Sequence, residues 1–293
     1  MNETPTLDTS WTRAVRRGER PTAEDLVAHL RAIHSERAGF TEACARRCRD
    51  EHGRNSYEWL LDTVEPDAHR TVLDLACGSG VLIGIGQERY PAPQWLGVDM
   101  SPKELELARR RADPARTEFF QAMAQRMPLA SATVDAVLCH WALTLMAPVM
   151  PVLHEVARVL KPGGMFAAIV DGPDEAAPVY GELHDIIYEF VQKECPGYGN
   201  AELGDSRVRR ADSLRTLIGQ AFPGAETTVE SNVVRLPGEP RELAEEAAGF
   251  FYASFVLSER SHEEMLQALV EFFESQPQPE FAMPINRLIV QTK

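Results

Sequence analysis

The sequence predicts an α/β fold, an open and mostly parallel β-sheet with helices on both faces. Three observations predict it. Val72, Leu73 and Leu75 form a short apolar run, as a buried parallel strand does, and the run breaks into Ala76-Cys77-Gly78-Ser79-Gly80. A second apolar run, Trp95-Leu96-Gly97-Val98, ends on Asp99, nineteen residues after Gly80. Further apolar runs then alternate with stretches of helical periodicity. Closely spaced glycines at a strand end let the main chain turn sharply and approach a ligand, because no Cβ stands in the way. A carboxylate about 20 residues beyond such a loop commonly holds ribose hydroxyls.

The elements follow in order. Residues 1–20 are polar and read as a flexible tail, with Arg13, Arg16 and Arg17 as a solvated basic cluster. Residues 21–66 read as a helical cap. Thr22 and the acids after it make a helix start, and Leu26, Leu30 and Ile33 recur at helical spacing. Further helical stretches cover 41–52 and 56–64. After the glycine loop a crossover helix spans 81–88, ended by Pro91 and Pro93. Ser101, Pro102 and Glu104 supply a cap, a first-turn proline and an acid, starting a helix whose Arg109, Arg110 and Arg111 face solvent. Strands at 117–121 and 134–139 come next, then a helix at 149–160 with His154 off its buried face. The Lys161-Pro162-Gly163-Gly164 turn leads into a fifth strand at 165–170.

From residue 173 the spacing changes. An insertion near 174–205 holds a helix over 179–193. A crossover helix at 209–221 and a strand at 226–236 follow. A second insertion, near 239–275, holds helices over 239–258 and 261–274, the latter capped by Ser261. A last strand covers 281–291.

The residues of the loop narrow the ligand. A dinucleotide fingerprint needs glycine at position 83, where Ile83 stands, and no Walker lysine follows. What stands there is Asp-x-x-x-Gly-x-Gly, from Asp74 to Gly80. With this motif the chain resembles class I S-adenosylmethionine-dependent methyltransferases, and among them the small-molecule enzymes that tailor natural products. The Arg-x-Leu-Lys-Pro-Gly-Gly run from Arg158 to Gly164 fits the same pattern. The resemblance covers about 70–172 well and the last strands loosely. It implies a Rossmann-like domain over 67–293 with a seven-stranded sheet, its last strand antiparallel at the edge beside the fifth. It also implies S-adenosyl-L-methionine as cofactor and S-adenosyl-L-homocysteine as product. The residues it places against the cofactor are Asp74, Ala76, Gly78, Gly80, Asp99 and Met100, with Met123, Ala124 and Gln125 at the adenine. Met123 stands where the family often has an aspartate, so apolar contact from Met123 with polar help from Gln125 is the implied substitute.

Position supplies the remaining candidates. His140 and Trp141 end the fourth strand, where open α/β sheets bind ligands. Tyr57 and Trp59, just before the first strand, are candidate walls of the site. Tyr180, His184 and Tyr188 share a helix face at spacing four and either line a pocket or pack. Tyr252 belongs to an aromatic group in the second insertion, a further candidate for the substrate wall. Methyl transfer from a sulfonium is an in-line displacement with the nucleophile ~3 Å from the methyl carbon, so the protein's task is mainly positioning and exclusion of water. The expected activity is transfer to an O, N or C atom of a small organic acceptor. Where the acceptor must lose a proton, His140, His184 and Asp171 are the candidate bases. The alternative is a cyclase or binding protein of the same fold that holds the cofactor without transferring its methyl.

A net charge of −14 argues against a nucleic-acid surface. No run of ~18 apolar residues suggests a membrane span, and the N-terminus lacks the apolar core of a signal peptide. Five cysteines without a C-x-x-C pair point to a reduced, cytoplasmic setting, and no metal site is expected. A homo-oligomer formed through the N-terminal helices stays open.

Overall fold

Seven strands form one sheet in the computed structural model, which describes residues 7–40, 42–201 and 203–293. Four helices come first: α1 (Ser10–Arg16), α2 (Ala23–Glu36), α3 (Glu42–Arg47) and α4 (Ser56–Leu61). Then come β1 (Thr71–Leu75), α5 (Val81–Arg89), β2 (Gln94–Asp99), α6 (Pro102–Arg111), β3 (Thr117–Gln121), β4 (Val134–His140), α7 (Met150–Val159) and β5 (Leu160–Asp171). The remainder is α8 (Pro178–Glu194), α9 (Ala211–Ala221), β6 (Glu226–Pro237), α10 (Pro240–Phe250), α11 (Glu259–Glu274) and β7 (Glu280–Gln291).

The sheet order is β3-β2-β1-β4-β5-β7-β6. The first five strands pair in parallel, and β7 runs antiparallel to both β5 and β6. The last strand is therefore antiparallel as expected, but it lies inside the sheet and β6 forms the edge. Burial explains the order. Phe281, Met283, Ile285, Leu288 and Val290 of β7 are all buried, which suits a strand covered on both sides. Strand β6 mixes in Glu226, Glu230 and Asn232 and is mostly exposed or half-exposed, as an edge strand should be.

Alternation along the strands divides the core. Val72, Ala136, Leu138, Ala167 and Ile169 face one side, packed with residues of α4, α5, α8, α10 and α11. Leu73, Leu75, Val137, Cys139, Phe166 and Ala168 face the other, packed with α7 and α9. No helix among the described residues is long and apolar enough to cross a membrane.

Several expectations are corrected. Residues 1–6 and Thr41 lie outside the described residues, but the rest of the expected tail is folded. Thr9 caps α1 by accepting from Thr12 N at 3.1 Å. Trp11 and Val15, four residues apart, are 1% and 0% exposed. Arg16 is no solvated cation either, since it pairs with Glu194 and donates to the Val256 carbonyl. The helix expected over 239–258 breaks at Phe251, because Ser254 Oγ donates to the carbonyls of Ala248 and Phe251 at 2.7 and 2.9 Å. Helix α11 then starts two residues earlier than expected and is capped by Ser258, not Ser261.

His29 of α2 holds α1 in place. Its ring stacks on Trp11 with centroids 4.6 Å apart, and its Nδ1 lies 3.0 Å from Thr9 Oγ1. Burial pushes the imidazole down to about 4. The unfolded chain takes up this proton from about pH 6.5 downward, whereas the folded chain refuses it. The stability gained by burying the neutral ring is thus complete above about pH 6.5 and is lost as pH falls toward 4. The wild-type melting midpoint should drop by several degrees between pH 7 and 5. His29→Gln should show a shallower drop in scanning fluorimetry over the same range.

Candidate active site

The loop after β1 has the backbone that its glycines predict. Ala76, Gly78 and Gly80 all lie in the left-handed region, at φ 57°, 50° and 76°. A Cβ added to Gly78 would meet only Glu104 Oε2, 3.8 Å away, so this main chain is open to a ligand. Gly80 has another role. A Cβ there would stand 2.9 Å from Ala108 Cβ, so the glycine lets α5 begin against α6, and it does not line the cavity.

Asp99 ties the loop to β2. Its Oδ2 accepts from Gly78 N at 2.9 Å and its Oδ1 from Ser101 N at 2.8 Å. Asp74 lies beneath, 2% exposed, with no hydrogen-bond partner among the described residues. Burial first, and the neighbouring Asp99 second, hold the Asp74 carboxyl well above the usual carboxylate range. Burial raises Asp99 as well. Among the described residues no Lys or Arg pairs with either carboxyl, an arrangement to which a positively charged ligand is suited.

Every residue singled out above for the site, except Gly80 and Trp59, lines one cavity of ≈ 310 Å3. Trp59 lies instead under Arg287, whose guanidinium is 4.6 Å from its ring centre. Met100, Met123, Ala124 and Gln125 form one part of the wall, and Gln125 Oε1 is buried without a partner among the described residues, an acceptor left for a ligand donor.

Another part of the wall is aromatic. Trp141 packs edge-on to Phe250 at 5.2 Å, Tyr180 lies 5.2 Å from Phe251, and His184 stacks on Tyr188 at 3.9 Å. Trp141, a bulky residue, is held at φ 60° at the end of β4, a strained conformation of the kind that clusters at functional sites. Tyr252 is placed differently, with its hydroxyl 3.0 Å from His34 Nε2.

The three candidate bases differ. Asp171 accepts from Trp141 Nε1 at 2.8 Å through one oxygen and from Arg209 Nε at 3.0 Å through the other, so it is committed to holding those side chains. His140 Nε2 lies 2.8 Å from Ser56 Oγ, and its ring stacks on Tyr57 at 3.7 Å. Burial pushes His140 down to about 3, which keeps it neutral. Neither ring nitrogen of His184 has a hydrogen-bond partner among the described residues. Burial lowers its imidazole, partly offset by Asp174.

Sequence reasoning missed the polar ties that close the site. Glu42 of α3 accepts from Ser79 Oγ in the loop and from Arg111 Nη1 at 2.8 Å, so Arg111 is not the solvated surface charge expected. Arg209 lines the cavity beside Asp171. These pairs span tens of residues, and no local pattern announces them. Among the described residues no group of three or more His, Cys, Asp or Glu side chains is placed to hold a metal ion.

The family described as Methyltransferase domain matches residues 72–164. Demethylmenaquinone methyltransferases of Thermus thermophilus and Deinococcus radiodurans are each 30% identical to the chain, over 149 and 185 residues. The matches cover 50% and 62% of this chain and 67% and 68% of those proteins. Among solved structures, the (4+2)-cyclase SpnF superposes with a TM-score of 0.58 at 18% identity, covering 93% of this chain and 97% of that one, a likeness of fold. By this family match and these relatives, the chain belongs to the class I S-adenosylmethionine-dependent methyltransferases.

Proposed function

We propose that the enzyme methylates a small, largely apolar, ring-bearing acceptor, in the manner of a natural-product tailoring enzyme. One observation carries this reading: a single cavity is continuous from the bare main chain at Gly78 to the rings of Trp141, Tyr180 and Tyr188. The relatives named for demethylmenaquinone, a ring acceptor by its name, support it.

The residues present fit S-adenosylmethionine. Asp74 and Asp99 offer carboxyls that no Lys or Arg among the described residues pairs with and that a bound cation would ionise, Gly78 leaves room, and Gln125 offers an acceptor. Asp74, Gly78, Asp99, Met100, Met123 and Gln125 would hold the cofactor. When bound, it supplies a methyl group already activated on a sulfonium. The chain's own work is then positional. Asp171 fixes the Trp141 and Arg209 side chains, Tyr57 and His140 form a neutral stacked wall, and the aromatic groups exclude water from the acceptor. His184 is the group left free to take a proton from an acceptor that must lose one.

Three outcomes test this reading. Incubation with methyl-labelled donor and flat phenolic or quinone-type acceptors should put label in the product. Product that forms without label would assign the chain to cyclase-type chemistry instead. Second, cationic ligand binding should release a proton. The free Asp74 carboxyl keeps its proton to an unusually high pH, and a cation beside it favours the ionised form, so affinity rises with pH across that range. Calorimetry in buffers of different ionisation heat should detect the release in the wild type. Asp74→Asn should abolish it and weaken binding about 10-fold or more. Third, with an acceptor that needs deprotonation, His184→Gln should lower kcat by roughly 100-fold and remove the acid limb of the kcat profile below about pH 6.5. Unchanged kcat in that variant would remove His184 from the chemistry.

A further inference from the structure

Glu104, on the first turn of α6, has no part in the machinery described above, yet it lines the same cavity. Its side chain is 3% exposed. One oxygen is fully engaged: Oε1 accepts from Gly39 N at 3.0 Å and pairs with His34 Nδ1 at 2.8 Å. The other is not. Among the described residues Oε2 is buried with no hydrogen-bond partner, and it is the nearest atom to a Cβ built on Gly78, at 3.8 Å. A buried carboxylate oxygen without a donor is costly, and such atoms are kept where a ligand or water satisfies them.

We propose that Glu104 Oε2 accepts a hydrogen bond from a ribose hydroxyl of the bound cofactor, so that two carboxylates, Asp99 and Glu104, hold the sugar. This rests on the S-adenosylmethionine reading given above. The division of donors supports the sugar over the amino-acid end. Asp74 stands without any partner and suits an ammonium. Asp99 already spends one lone pair of each oxygen on Gly78 N and Ser101 N, whereas the Oε2 atom of Glu104 has both of its lone pairs to offer a diol. Glu104 also links the sugar to both covers of the site, because His34 of α2 bonds Tyr252 of the α10–α11 turn through its second nitrogen.

Glu104→Gln is a clean probe. Gly39 N–H and His34 require a carbonyl oxygen at the Oε1 position, so the amide NH2 falls where Oε2 stood and meets the ligand's donor with a donor. Calorimetry would compare S-adenosylhomocysteine with its 2′-deoxy and 3′-deoxy forms on wild type and variant. The expected result is a 10- to 100-fold loss for Glu104→Gln on S-adenosylhomocysteine and little further loss on the deoxy form that lacks the partner hydroxyl. Glu104→Asp, which keeps the charge but withdraws the oxygen, should behave the same way and serves if the glutamine variant does not fold. Wild-type affinity in the variants, or equal losses on all three ligands, overturns the proposal and leaves the cofactor reading standing. A folded wild type that binds none of the three overturns the cofactor reading itself.

Discussion

Two carboxyl groups buried side by side at the carboxyl ends of β1 and β2 set the terms for this molecule. Burying one carboxylate is expensive, and burying two without a cation is worse. Asp99 offsets part of that cost through the main-chain donors of Gly78 and Ser101. In doing so it welds the glycine loop, the end of β2 and the start of α6 into one rigid corner. Asp74 receives no such help. The rest of the fold buries both side chains against the wall of the cavity.

The closing elements use polar ties at the loop and apolar contact farther away. Glu42 from α3 takes the Ser79 hydroxyl and the Arg111 guanidinium, and Glu104 takes the Gly39 amide and His34. Around the other end of the cavity the contacts are rings on rings, from Trp141 and Phe250 to His184 and Tyr188. Hydrogen bonds specify orientation and aromatic packing tolerates variety. A chain built this way is rigid where its proposed cofactor is constant and permissive where acceptors differ.

The sheet was legible because strand burial and capping are local. Thr117–Gln121 was readable from its run of β-favouring residues, and Ser101 from its place before proline and Glu104. The misreadings share a physical cause, which is information held at a distance. Trp11 and Val15 sit in a polar stretch, and distant residues make them core, with His29 and Tyr198 packed on the Trp11 ring. Ser254 breaks a helix through carbonyls three and six residues back, which composition does not reveal. The glycines of the loop were legible because bare, left-handed main chain demands them. Glu42, Glu104 and Arg209 were not, since a carboxylate or guanidinium on an amphipathic helix looks alike whether it meets water or a site.

The same geometry bears on how little acid–base chemistry the chain supplies. Asp171 has both oxygens committed to orienting Trp141 and Arg209. His140, pushed to about 3 and leaning on Ser56, offers a neutral surface. Keeping these groups neutral or paired has a use beside a sulfonium. A free carboxylate or thiolate near an activated methyl would itself be a nucleophile, and Cys139, in the strand that leads to His140, is buried with its thiol raised to about 12. The site thus lowers the reactivity of its own side chains, and in the proposed reading this leaves the acceptor as the strongest nucleophile that the methyl group can meet.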